Sequence, residues 1–104
     1  MNQDSTVNKI KNVIQAYFPV SRIVLFGSRA TKKNRTDSDY DLMVIIDKTL
    51  PVKKKLSWVS QLSKTLAKQG IDADILLNSE REIVIKKNLP GHIVYYALND
   101  GIEL

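Results

Sequence analysis

The chain has 104 residues, 43% of them apolar and 26% charged, with 16 basic side chains against 11 acidic ones and a formal charge of +5. This length suits one compact domain over residues 1–104, and the composition is that of a globular protein rather than a disordered one. With no cysteine, a disulfide framework and a thiolate metal site are both excluded. The first residues are polar where a signal peptide would be basic and then apolar, and the apolar runs at 42–46 and 93–98 are too short to cross a bilayer. A soluble, cytoplasmic protein without membrane contact is expected.

Val7, Ile10, Val13, Ile14, Tyr17 and Phe18 recur at helical spacing behind Asp4, Ser5 and Thr6 as candidate caps, and Pro19 closes the helix. Ser21–Phe26 is short, apolar and β-branched, and Gly27 stops it, which predicts a buried strand. Residues 28–30 follow as the start of a short helical turn, and 31–38 form a polar, lysine-rich loop. Residues 39–46 read as a strand that is acidic first and apolar afterwards. Pro51 and three lysines then introduce an amphipathic helix with Leu56, Val59, Leu62, Leu66 and Ala67 on one side and Gly70 as its C-terminal cap. Residues 71–77 repeat the pattern of an acidic strand entrance and an apolar body. Strand, helix and strand in this order predict a right-handed crossover with parallel strands. Asn78, Ser79 and Glu80 are candidate caps of a further helix, and a last one runs from Pro90-Gly91 through Leu98 to Asn99-Asp100-Gly101.

The positive balance favours polyanions such as nucleotides. Its lysines and arginines are dispersed, however, in Lys32-Lys33-Asn34-Arg35, Lys53-Lys54-Lys55 and Lys86-Lys87, with no interleaved aromatic residues to stack bases. Solvated loops and helix ends account for them, and a nucleic-acid-binding face is not indicated. The first run gains meaning only from its surroundings.

Those surroundings are Gly27-Ser28, ten intervening residues, and Asp39-x-Asp41. Side chains two apart on a strand project to one face, so Asp39 and Asp41 are expected side by side. Paired carboxylates repel, and hard oxygen donors of this kind suit magnesium. Asp74 stands at a similar depth on the next strand of the crossover and can join them; Asp72 is its rival for that place. Three carboxylates can hold two magnesium ions roughly 4 Å apart, an arrangement that steadies both attacking and leaving oxygens of a phosphoryl displacement. Glycine at 27 permits close backbone approach, Ser28 offers a hydroxyl beside free N–H groups, and Arg29 adds a charge-assisted phosphate contact. A Gly-Ser turn or an Asp-x-Asp pair alone is usually structural; their conjunction with a third carboxylate carries the signal.

With these residues the chain resembles the DNA polymerase β-like nucleotidyltransferase superfamily, and its shortness resembles the minimal nucleotidyltransferase (MNT) branch. The likeness extends from the leading helix through Asp74 to Pro90-Gly91-His92 and Asn99-Asp100-Gly101. It implies an α/β fold with a small mixed sheet flanked by helices. It also implies that Gly27 and Ser28 contact the phosphates of ATP and that Asp39, Asp41 and Asp74 bind two Mg2+ ions. Asp41 or Asp74 would be the base that activates the acceptor hydroxyl. Minimal members commonly accompany a HEPN-domain protein as a toxin–antitoxin pair. The resemblance therefore implies an antitoxin that transfers AMP from ATP to a tyrosine of a HEPN toxin; the alternative is an antitoxin that neutralises the toxin by occlusion alone.

Other conspicuous residues have plainer roles. His92 lies at a helix start, Trp58 and Tyr95-Tyr96 suit core or interface positions, and Ser57, Ser60 and Ser63 suit the polar side of a helix.

Overall fold

A computed structural model describes residues 3–27 and 39–104. Helix α1 (Gln3–Tyr17) leads into strand β1 (Ser21–Phe26). Strand β2 (Tyr40–Ile46), helix α2 (Val52–Lys68) and strand β3 (Ala73–Ser79) follow, then α3 (Glu80–Lys86), α4 (Ile93–Asp100) and a two-residue strand β4 (Ile102–Glu103). The sheet is mixed, in the order β3-β2-β1-β4. β1 runs antiparallel to β2 and β4, whereas β2 and β3 are parallel and joined by the α2 crossover that their pattern predicts.

Helices cover both faces of β2, which is why it reads as a nearly unbroken apolar run after Asp41. Alternate residues sort to the two sides. Tyr40, Leu42, Val44 and Ile46 join Ile23, Leu25, Ile75 and Leu77 against Ile10, Ile14, Leu62 and Leu66 of α1 and α2. Met43 and Ile45 join Val24 against Ile83 of α3 and Val94 and Ala97 of α4. Leu62 and Leu66 are fully buried, and truncating either to alanine removes about 2–5 kcal/mol. Trp58 stands edge-on to Tyr17 and Phe18, with ring centroids 5.7 and 5.3 Å away, and so fastens α1 to α2.

The helix ends follow local chemistry. Gly70, at φ +79°, closes α2 in a left-handed turn in which Ile71 N–H donates to the Leu66 carbonyl (3.0 Å) and Gly70 N–H to that of Ala67 (2.9 Å). Ser79 begins α3 with a reciprocal capping box. Its Oγ accepts from Glu82 N–H (3.1 Å), and Glu82 Oε1 accepts from Ser79 N–H (2.9 Å). His92 caps α4, its Nδ1 accepting from Val94 N–H at 3.1 Å.

Several expectations change, and β2 begins at Tyr40 rather than at Asp39. α1 begins at Gln3, so Ser5 and Thr6 lie inside the helix rather than capping it. On α2, Leu56 is 65% exposed and Ala67 is also exposed; at about 100° per residue they fall roughly a quarter turn off the Leu62–Leu66 stripe. The third strand starts at Ala73, leaving Asp72 just before it. Among the described residues, no helix is long and apolar enough to cross a membrane.

Candidate active site

One end of the sheet gathers the acidic residues. Asp41, second residue of β2, pairs in register with Phe26 of β1 on one side and with Asp74 of β3 on the other. Direct partners on adjacent strands share a face, so the Asp41 and Asp74 carboxylates stand side by side, on strands about 4.8 Å apart. Their face is the one that Met43 and Ile45 present to α3 and α4. Asp41 is half-buried; Asp74 is exposed.

Gly27 closes this end of β1 at φ +72°. A Cβ built on it would collide with Oδ2 of Asp41. Glycine is therefore required twice over here, by its backbone conformation and by the carboxylate lying against its Cα.

Burial, first, and then the negative charges of Asp74 and Asp39 push the Asp41 carboxyl above its ordinary value. All three carboxylates thus share one electrostatic neighbourhood, with Asp41 at its centre. Asp72 makes no such contribution to Asp41. Its backbone carbonyl instead accepts from Tyr40 N–H at 2.9 Å, tying the two strand entrances together.

Asp39 sits one residue before β2, is exposed, and lines a cleft of about 520 Å³ with Ser63, Lys64, Ala67, Asp72 and Ala73. That cleft lies on the α2 side of the sheet, the face opposite to the Asp41–Asp74 pair, and includes neither of them. Among the described residues, no three His, Cys, Asp or Glu side chains are drawn together tightly enough to form a ready-made cation site. Asp41 and Asp74 stand together in register, and Asp39, at the cleft's edge, acts on Asp41. Ser28 and Arg29, the other two residues expected at the phosphates, lie outside the described residues.

Sequence reasoning missed the cleft's α2 wall. Ser63, Lys64 and Ala67 recur at i, i+1 and i+4, which reads as an ordinary flank of an amphipathic helix; only the crossover brings that flank beside Asp39 and Asp72.

Comparison with curated proteins finds no significant match. Among solved structures, a chain from the complex of a tri-AMPylated Shewanella oneidensis HEPN toxin with an MNT antitoxin is similar at TM-score 0.60 and 21% identity, covering 98% of this chain and 71% of that one. A chain from a toxin–antitoxin crystal structure with AMP-PNP is similar at TM-score 0.59 and 19% identity, over 98% and 72% of the two chains. A third, from a toxin–antitoxin complex named MntA-HpeT carrying a tyrosine-to-alanine change, gives TM-score 0.61 and 23% identity over 94% and 70%. At such identities the likeness is one of fold. The sequence family described as Polymerase beta, Nucleotidyltransferase matches residues 8–104, nearly the whole chain, and the protein belongs to that family.

Proposed function

We propose that this protein is a magnesium-dependent nucleotidyltransferase that transfers AMP from ATP to a hydroxyl, a tyrosine's by preference, on a HEPN-domain toxin and thereby acts as its antitoxin. The observation that carries the reading is the register pair Asp41–Asp74, with Asp41 lying against Gly27, in a chain of the polymerase β nucleotidyltransferase family. An AMP-modified HEPN toxin and an AMP-PNP complex among the structures of like fold support the donor and the acceptor. A cytoplasmic location follows from that role.

The donor set suits a hard divalent cation: carboxylate oxygens only, crowded closely enough to push the Asp41 carboxyl upward. Asp41, Asp74 and Asp39 would hold magnesium, which when bound supplies positive charge to the phosphoryl oxygens. Gly27, with Ser28 and Arg29 after it, receives the phosphates. In the transfer, the acceptor oxygen forms a bond to the α-phosphorus as the bond to the bridging oxygen breaks. Pyrophosphate leaves with that electron pair, and Asp41 or Asp74 takes the hydroxyl proton.

The test is to incubate the protein with a HEPN-domain partner, ATP and magnesium, and to weigh the partner by mass spectrometry. A gain of one or more AMP units, lost with Asp41→Asn, is expected. No gain, together with stoichiometric neutralisation by Asp41→Asn, would replace the reading with simple occlusion.

A further inference from the structure

The two edges of the sheet are closed unequally. β4 is two residues long, whereas β3 presents seven residues, Ala73–Ser79, with no strand beyond them among the described residues. Edge strands are commonly guarded by lysine, proline or a bulge. β3 contains neither residue type, and its register with β2 runs unbroken. The Tyr40 N–H donates to the Asp72 carbonyl, which fixes the phase of the parallel ladder. Asp74, Leu76 and Asn78 therefore turn their main-chain groups to β2, and Ala73, Ile75, Leu77 and Ser79 turn theirs to the edge. Ser79 is already satisfied, its N–H donating to Glu82 Oε1 at 2.9 Å. Among the described residues, nothing bonds the outward N–H and C=O groups of Ala73, Ile75 and Leu77. The open stretch thus lies at the carboxylate end of the strand, where Asp74 is exposed.

We infer that a segment of the acceptor protein adds to this edge as a fifth strand, with its hydroxyl-bearing residue opposite Asp74 and a basic residue next to it. This rests on the transfer reaction proposed above and adds to it the place and form of the second substrate. Directly opposed residues on neighbouring strands project to one face, with Cβ atoms about 4.5–5.5 Å apart. A residue opposite Asp74 therefore shares the face of the Asp41–Asp74 pair, whichever way the added strand runs. The side of approach also suits an in-line displacement, in which attacking and leaving oxygens lie on opposite sides of the phosphorus. Gly27, proposed to receive the phosphates, flanks Asp41 from the β1 side, and the added strand flanks it from the β3 side. The neighbouring residue of the segment, opposite Ala73, points the other way, to the α2 face. There the cleft sets Asp39 and Asp72 against the single positive charge of Lys64, so a lysine or arginine complements it.

Ala73→Pro tests the edge at little structural cost, because proline is tolerated at the first residue of a strand and the N–H it removes faces away from β2. Initial rates are measured with the HEPN-domain partner varied at saturating ATP and with ATP varied at saturating partner; a circular dichroism melt checks the fold. KM for the partner should rise about tenfold, the effect of one lost hydrogen bond whose acceptor stays buried, with KM for ATP within about twofold of the unaltered protein. Hydrogen exchange gives a second reading, with Asp41→Asn used to hold the complex before transfer. The amides of Ala73, Ile75 and Leu77 should exchange about tenfold or more slowly with the partner bound than in the protein alone. Protection that appears without partner and grows with protein concentration would assign the edge to a second copy of this chain and overturn the inference. Partner binding with no added protection at these three amides, or an unchanged KM for the partner, would overturn it too, leaving the transfer reaction standing. If the unaltered protein transfers AMP to no HEPN-domain partner, the functional reading fails and this assignment falls with it.

Discussion

The Cα of Gly27 and the carboxylate of Asp41 occupy space that no side chain at position 27 can share. The contact joins the end of β1 to the start of β2, and it sets the bend at Gly27 against the Asp41 carboxylate. Gly27→Ala would meet a left-handed backbone and a carboxylate in its way. The backbone alone costs about 1 kcal/mol, a modest loss. Displacing the Asp41 carboxylate should be far more damaging to transfer than to folding. The expected outcome is a folded variant whose AMP transfer falls by about two orders of magnitude. A Gly27→Ala protein with unimpaired transfer would show that the close approach has no chemical purpose.

Asp74 and Asp72 make a paired comparison. Asp74 is the register partner of Asp41 and raises its carboxyl's pKa; Asp72 precedes β3 and does neither. Asp74→Asn should cut transfer by about 10²-fold or more, whereas Asp72→Asn should leave turnover within a few-fold. Single-turnover rates at saturating ATP and acceptor separate these from binding effects. The reverse ranking would put the third carboxylate at position 72.

The strands were legible because their chemistry is local. β1 carries a β-branched run closed by glycine, and the acidic-then-apolar pattern of β2 and β3 marks each strand's entrance to within two residues and shows that its body is buried on two faces. Gly70 and Ser79 announced their caps for the same reason, since each satisfies backbone groups within six residues of itself. β4 was not legible: two residues, Ile102 and Glu103, hold it by pairing with Leu25 and Val24 almost eighty positions away. The side-by-side placement of Asp41 and Asp74 followed from strand periodicity and the crossover. Asp39 shows the limit of that logic. Alternation governs residues within a strand, and Asp39 lies one position outside it, free to line the cleft beside α2.

The aspartate cluster should also weigh on stability. Burial and two like charges disfavour the Asp41 carboxylate in the folded protein. Asp41→Asn removes that penalty, so in chelator at neutral pH the variant should melt higher than the unaltered protein while transferring no AMP. Magnesium should reverse the order. At about a hundred times its dissociation constant a folded-state ligand adds roughly 2.7 kcal/mol, and only the protein with its carboxylates intact should gain it. Differential scanning fluorimetry with and without magnesium reads both effects. A melting point that rises equally in the two proteins would mean the cation binds elsewhere.

Glu82 offers the corresponding test away from the site. Burial works to raise its pKa, but the hydrogen bond from Lys55, the Ser79 N–H and the charges of Lys55 and Lys86 prevail, and the net shift is downward. The carboxylate, 18% exposed, both closes the α3 capping box and holds the ion pair that ties α3 to α2. An acid with a lowered folded-state pKa contributes stability that is fully present above its ordinary value, near 4.5, and that disappears as pH falls through the lowered one. Glu82→Gln should therefore destabilise the protein by about 1–3 kcal/mol at pH 7, measured by urea denaturation. The difference should narrow steadily below pH 4.5 as the unaltered glutamate takes up its proton. A gap that persists undiminished in acid would mean that the loss comes from the cap's geometry alone, with the charges of Lys55 and Lys86 contributing nothing.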